Sequence, residues 1–417
     1  MTESSMEPRF FISGDFSEDA RALSAHVRQT TMTSARQARE AFLAAHAAAL
    51  YLRLTDGHSR FLRLAELAGA ASLLIEGLTP SSAELAREQA LPLAEQTGVA
   101  IDQMLFLAHV LNHAASGLHL CQAMRLPRAD SLERLPEFVA SGQLVLAAAS
   151  LERVGKACYV TLCRPGALNA EDELSLADVE IAVDLALLDP HSEVVVLRGA
   201  AIDSAKYAGR RVFCSGINLT RLRQGGIPPL WYLERELGVL HKIYRGLAQP
   251  LVVAEAFEET REKPWIAQLD GFAIGGGCQY LLVMDSIVAA ADAYLTLPAR
   301  KEGIIPGAAN LRLPRFVGDR LARQLVLSER RVDCASVEGR LLCDVVVAPQ
   351  EVPAAVETLV EQLTASGVVS FAANRRAFRL AQEPLDLFRR YMALYAHEQA
   401  FCHFSPALIA NLRKHWR

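Results

Sequence analysis

The chain has 417 residues, 51% of them hydrophobic and 22% charged, and its 43 basic and 47 acidic side chains leave a formal net charge of −4. At roughly 100–200 residues per domain this predicts two or three domains, with enough chain to bury a large core without disulfide staples. The near-neutral balance excludes the concentrated positive face that nucleic acid or an anionic membrane surface requires, so neither is expected as a partner. The eight cysteines are scattered in apolar surroundings with no CxxC pair, which predicts reduced, buried thiols. The start, MTESSMEPRFF, has no basic stretch followed by an apolar one, so no signal peptide is expected. The most apolar candidate for a membrane helix, YLLVMDSIVAAADAYL, is broken by Asp285 and Asp292, and a cytoplasmic location is expected.

From about Ser17 to Gly142 alanine and leucine dominate and apolar residues recur at three- and four-residue spacing, which predicts successive helices. Turn signals fall at Asp56-Gly57, Gly77 to Ser82, Gly98 and Pro127 to Asp130. Ser81 followed by Glu84 reads as a capping box opening a helix that runs to Glu95. At Gly142 the texture changes. β-rich runs on either side of Val154-Gly155-Lys156 predict a hairpin, ended by Arg164-Pro165-Gly166. An amphipathic helix is expected over Asn169 to Pro190, then a buried strand at SEVVVLRG and a helix from Leu230 to Leu247. The strand WIAQLD, a glycine-rich turn, the helix CQYLLVMD and a strand from Ser286 to Leu297 follow. Strand, crossover helix and strand in repetition imply an α/β domain with a parallel sheet. Helices return from about Val352, with Ser370 to Leu380 and Pro384 to Phe401 the clearest, and the Gly- and Pro-rich stretch Gln224 to Pro229 reads as a mobile loop. The expected division is therefore residues 1–142 helical, 143–350 an α/β core, and 351–417 helical.

Two glycine-rich pieces carry most of the chemical information: Phe213-Cys214-Ser215-Gly216-Ile217-Asn218, and Gly271 to Gln279, which reads GFAIGGGCQ. Glycines between a strand and a helix let a ligand approach the backbone, and the first amides of the helix point outward unpaired. Neither piece fits GxxxxGK[ST], and neither has the spaced glycines and downstream acid of a dinucleotide fingerprint. His109 and His113 lie four apart on an expected helix, with His119 six further on, a spacing capable of metal binding, but no HExxH and no nearby carboxylate triad accompanies them, so no metal site is expected.

Together with Arg164-Pro165, Ala167-Leu168-Asn169-Ala170 and Leu297-Pro298 followed by Gly303-Ile304-Ile305-Pro306-Gly307, the two pieces resemble the enoyl-CoA hydratase/isomerase (crotonase) superfamily over about Gln143 to Thr364. The resemblance implies a ββα spiral core and an oxyanion hole for a thioester carbonyl, with the amides of Ile217 and Gly276 as its donors. It also implies a homotrimer or homohexamer, assembled through the C-terminal helices, with the N-terminal helices lidding or bracing the site. Hydratases of this family use two glutamates to handle water, and here those positions hold Gln279 and Ala299, which cannot. With the long helical extension, these departures resemble a branch of the family that joins an arylacetyl-CoA thioester to O₂ with neither metal nor organic cofactor, CoA being part of the substrate. On that resemblance Glu171 and Arg235 hold the aryl hydroxyls and Gln279 bonds substrate or peroxide. Ala167, Leu168 and Ser215 contact the substrate, and Ala299, Ile304 and Ile305 line a pocket for O₂. A family isomerase, a thioesterase and an acyl-CoA-binding scaffold remain as alternatives, and the acceptor of the α-proton is open.

Overall fold

The computed structural model describes residues 10–207, 209–251, 255, 258–365 and 369–415. Seven α-helices come first, from Phe16–Gln29 to Ala129–Ser141, and the turns between them fall where glycine or a left-handed residue allows, at Asp56-Gly57-His58, Gly77 and Gly98. The Ser81 hydroxyl accepts the Glu84 amide and the Glu84 carboxylate accepts the Ser81 amide. The helix they open ends at Gln89 rather than Glu95. Pro92 has no amide to continue it and disfavours helical backbone at the residue before.

Among the described residues ten strands follow: β1 (Gln143–Val145), β2 (Ala149–Val154), β3 (Ala157–Leu162), β4 (Val194–Gly199), β5 (Trp265–Leu269), β6 (Phe272–Ile274), β7 (Ser286–Ala290), β8 (Tyr294–Thr296), β9 (Val332–Asp333) and β10 (Val345–Val347). The main sheet has the order β1-β2-β3-β4-β5-β7-β10. Its first two pairings are antiparallel, the hairpin turning at Gly155, and the rest are parallel. Every residue of β3 and β5 is buried, as strands covered on both faces must be. A smaller sheet, β6-β8-β9, stands beside it. The strand expected from Ser286 to Leu297 is two, because the chain turns at Ala291-Asp292 and each half joins a different sheet.

Two further expectations change. The helix expected from Asn169 begins at Leu176, and it is buried all round from Val179 to Leu187 rather than amphipathic. Its anticipated first turns are drawn into tertiary pairing: the Glu171 amide donates to the Gly216 carbonyl, and Asp172 accepts from Arg164 and Asn218. The stretch Gln224 to Pro229 is packed, with Ile227 buried and the Gly225 carbonyl accepting from the Gln96 side chain.

One hydrophobic cluster surrounds the main sheet, from Phe138 through Trp265 to Val352. The second joins Phe42 and Phe106 of the N-terminal helices to Trp231 and Leu237 in mid-chain and to Phe388 and Met392 of the C-terminal helix Leu385–His403. Arg63 adds a two-pronged contact to the buried Glu180. No helix among the described residues is long and apolar enough to cross a membrane.

The turn after β3 is pinned by one side chain. Asn169, at a left-handed φ of 54°, donates to the carbonyls of Ala200 and Val212 and accepts from the Arg164 amide. Asn169→Ala strands those buried groups, so a loss of about 2–4 kcal/mol is expected in chemical denaturation.

Candidate active site

Three segments leaving the ends of parallel strands meet at one place, where open parallel sheets commonly bind ligands. The segment Ala167 to Glu171 runs alongside Ser215 to Asn218. The Ser215 amide donates to Leu168, the Glu171 amide to Gly216 and the Asn218 amide to Glu171. That pairing leaves the Ile217 amide facing away from its neighbour strand. Cys214 is bonded on its other side to Phe272 and Ile274, which ties the first glycine turn to the second. Gly216 has φ of 83°, and a Cβ there would lie 2.6 Å from the Ile274 carbonyl oxygen and 3.1 Å from the Gly276 nitrogen, so the close approach of the two turns requires glycine. Gly276 opens the helix Gly276–Leu281, where the first amides have no intrahelical acceptor. Among the described residues neither the Ile217 nor the Gly276 amide has a protein acceptor.

Behind Gly276 lies a buried ion pair. Arg235 directs Nε to Glu171 Oε1 at 2.8 Å and Nη1 to Gln279 Oε1 at 2.7 Å, while Nη2 bonds the Gly276 carbonyl at 2.8 Å and lies 2.8 Å from Glu171 Oε2. The Tyr280 hydroxyl donates to Glu171 Oε1 at 2.7 Å, and the guanidinium rests over the Tyr280 ring. Burial works against the Arg235 cation, but Glu171, Tyr280 and Glu236 together outweigh it and raise the guanidinium's pKa further; burial together with Glu171 also drives the Tyr280 hydroxyl well above its ordinary range. Arg235 stands in a stretch of wider, π-type helical turn, Arg235–Leu240, which interrupts the helix expected from Leu230 to Leu247. Such a turn re-aims side chains relative to a regular helix. A Cβ on Gly276 would run into the Glu171 carboxylate, so this glycine too is required.

Two cavities meet here. The outer groove, about 830 Å³, is lined by Ala167, Leu168, Ser215 and Lys301 among others. The inner cavity, about 30 Å³, is walled by Arg235, Gln279, Ala299, Ile304 and Ile305 with Trp231, Tyr232 and Tyr395. Ile217 and Glu302 belong to both walls. Every residue expected at the site is thus brought into one neighbourhood. Glu171 does not line the inner cavity; it sits in an extended bridge behind Gly276 rather than at a helix start, and holds Arg235.

Sequence reasoning missed several groups. Glu236 lies in the wall with Oε2 unbonded; burial raises its carboxyl although Arg312 and Arg235 oppose. Glu302 is buried, and burial pushes its carboxyl up to about 8, with Lys301 only partly opposing. Trp231 Nε1 has no acceptor among the described residues. Tyr395 comes from the C-terminal helix, whose Gln399 accepts the Ile305 amide and whose Tyr391 donates to the Gly307 carbonyl. No motif marks these positions, which converge from distant parts of the chain. The histidines behave differently: His113 caps a helix and His119 bonds Tyr51 and the His58 carbonyl. Among the described residues no group of three or more His, Cys, Asp or Glu is arranged to hold a metal ion.

The family model for enoyl-CoA hydratase/isomerase matches residues 152–404. A (3,5-dihydroxyphenyl)acetyl-CoA 1,2-dioxygenase of Amycolatopsis orientalis is 50% identical over 378 residues, 90% of this chain and 86% of that one. A probable enoyl-CoA hydratase of Rhizobium meliloti is 31% identical over 60% of this chain and 90% of its own. Among solved structures, an enoyl-CoA hydratase from Mycobacterium avium subsp. paratuberculosis superposes with a TM-score of 0.53 at 23% identity, covering 65% of this chain and 99% of that one, which speaks for the fold alone.

Arg235→Met would leave a buried carboxylate without its cation, at an expected cost of about 3–5 kcal/mol near neutral pH. The folded variant then holds a proton on that carboxylate more tightly than the unfolded chain does, so stability falls as pH rises and part of the loss returns on acidification. Denaturation curves at several pH values measure both effects.

Proposed function

The chain belongs to the enoyl-CoA hydratase/isomerase family, and from that premise we propose that it is a (3,5-dihydroxyphenyl)acetyl-CoA 1,2-dioxygenase, converting its thioester and O₂ to 3,5-dihydroxyphenylglyoxylate and free CoA. The observation that carries the reading is local: two amides with no protein acceptor among the described residues, those of Ile217 and Gly276, lie beside a pocket in which the acids of a hydratase are replaced by Gln279 and Ala299. The site keeps the means to stabilise an enolate, while the two positions that hold a hydratase's acids carry a carboxamide and a methyl group.

The CoA arm lies in the outer groove past Ala167, Leu168 and Ser215, with Lys301 at its wall. The thioester carbonyl meets the amides of Ile217 and Gly276, which stabilise the oxygen charge formed when the α-proton leaves; one such donor is worth roughly 3–4 kcal/mol. An aryl ring on the α-carbon spreads the negative charge and makes the carbanion accessible. The ring points toward the inner cavity, whose walls must part to admit it, and Trp231 Nε1, without an acceptor among the described residues, is left to meet a ring hydroxyl. Glu171 acts through Arg235 as a positioning residue, clamping both the guanidinium and, through it, the Gly276 peptide.

The anion then passes one electron to O₂ held against Ala299, Ile304 and Ile305, and the two radicals combine to an α-peroxide. Its distal oxygen attacks the thioester carbonyl, CoA thiolate leaves, and the four-membered peroxide ring opens to the arylglyoxylate. The substrate is the reductant throughout, so we propose a reaction with neither metal nor organic cofactor. The amide nitrogen of Gln279, free of a protein partner among the described residues, is placed to bond the peroxide. Exclusion of water keeps the carbanion from being reprotonated by solvent. We take the assembly to be a homotrimer or a pair of trimers, for which the exposed Leu387, Leu394 and Phe401 along one helix offer apolar surface.

An oxygen electrode run with a thiol assay tests the reading. (3,5-Dihydroxyphenyl)acetyl-CoA is expected to consume one O₂ per CoA released, unchanged by a chelator; CoA release without O₂ uptake would instead make this a thioesterase. Arg235→Lys replaces a planar fork by a point charge and leaves Gln279 or Gly276 unbonded. Turnover is expected to fall by about 100-fold, more than any loss of folded protein accounts for.

A further inference from the structure

Three buried carboxyl groups stand around the paired amides, and they differ in company. Glu171 is clamped by Arg235 and Tyr280. Glu236 faces two guanidiniums, Arg235 at 3.4 Å and Arg312 at 3.7 Å. Glu171 lines neither cavity, and Glu236 lines the inner cavity but not the outer groove. Glu302 is 7% exposed and, among the described residues, its carboxyl enters no hydrogen bond and no ion pair. It ends the short helix Ala299–Glu302, and its Oε2 lies 3.8 Å from where a Cβ of Gly275 would stand, the residue preceding the Gly276 donor. It is the acidic side chain common to the walls of the inner cavity and the outer groove, so it flanks the passage in which a thioester's α-carbon must sit.

We propose that Glu302 is the catalytic base of this reaction and that it acts twice in each turnover, an inference that rests on the dioxygenase reading above. The stoichiometry requires two removals, because both α-hydrogens of the arylacetyl group are gone from the glyoxylate. In the first, the α C–H bond breaks, its proton goes to Glu302, and its electron pair moves to the thioester oxygen held by Ile217 and Gly276. After O₂ has added and the thiolate has been expelled, protonated Glu302 returns its proton to sulfur. The regenerated carboxylate takes the second α-proton as the O–O bond of the peroxide ring breaks, giving arylglyoxylate, and this proton leaves to solvent. The sum is arylacetyl-CoA and O₂ to arylglyoxylate, CoA thiol and one proton.

The surroundings suit both directions of transfer. Burial raises the Glu302 carboxyl to about 8; Lys301 pulls it down and Glu329, itself paired with Arg300, pushes it up. Tyr232 is a further titratable neighbour, its hydroxyl raised by burial and by Glu302 itself; Arg235, Glu236 and Tyr395 share the inner-cavity wall, and the helix Pro406–His415 packed against this turn contributes Asn411, bonded to the Lys301 carbonyl. A carboxyl so placed is a stronger base than an exposed one. Because the ionised form does the work, the rate of proton abstraction rises with pH to a midpoint near that value.

The test separates proton abstraction from oxygen chemistry. Without O₂, wild-type enzyme in D₂O is expected to exchange the α-hydrogens of (3,5-dihydroxyphenyl)acetyl-CoA, read by mass or NMR. Glu302→Gln is expected to slow exchange and aerobic O₂ uptake together by at least about 100-fold, while free CoA binds as in wild type. Exchange in E302Q within a few-fold of wild type, with O₂ uptake kept, overturns the assignment. Should E302Q fail to fold, the pH profile of wild-type exchange decides: a rise with a midpoint about 8 supports Glu302, and a flat profile from about pH 6 to about pH 9 overturns it. If wild type exchanges but takes up no O₂, the dioxygenase reading fails while the identity of the base is still decided by E302Q.

Discussion

A guanidinium sealed from water is stable only when its donors all find acceptors and its charge finds a counter-charge. Arg235 meets both conditions, and in doing so ties the site together. One fork reaches Glu171, in the segment after the first parallel strand of the sheet; another reaches Gln279; a third reaches the Gly276 carbonyl at the start of the second glycine turn. Arg235 therefore fixes the Gly276 carbonyl, in the peptide that follows the donor, while the Gly276 N–H, in the peptide before it, has no protein acceptor among the described residues. The widened helical turn that carries Arg235 is the local adjustment through which the guanidinium reaches all three.

Around that pair the chain has separated two kinds of acid. Where charge must only be held in place, carboxylates face arginines, as at Glu171, Glu236 and Glu383. Where a proton must move, a carboxyl is left alone, as at Glu302. At the two positions where the family's hydratases carry acids, Gln279 and Ala299 present an amide and a methyl group. On the proposed mechanism the same backbone serves carbanion chemistry with a carboxamide and a methyl group at those two positions.

The helical parts at either end of the chain are structural members of the site rather than appendages. The C-terminal helix Leu385–His403 packs on the N-terminal helix Ala100–Asn112, and it sends Tyr395 into the cavity wall while Gln399 and Tyr391 hold the backbone on which Ile304 and Ile305 stand. Gln96, from the N-terminal region, anchors the Gly225 turn, and Arg63 is bonded to Glu180 beside Gly238. Trp231, Ile304 and Ile305 of the inner-cavity wall thus pack into a core that all three regions share.

Much of this was legible in the amino-acid sequence. Helical spacing before Gly142, the hairpin at Gly155 and the alternation of strands and helices are local patterns, set by side-chain periodicity and turn chemistry. The glycines at 216 and 276 were legible because a backbone that must come so close to its neighbour admits no side chain, and that constraint is written in residue identity. What only the tertiary structure decided is which polar groups would face one another. Glu171 left its expected helix because pairing with Gly216 and Asn218 outweighed one more helical turn, and Glu302 became unusual only when burial removed its water without supplying a cation. Local preference acts on residues close in sequence, whereas desolvation and ion pairing act on residues that only folding brings together.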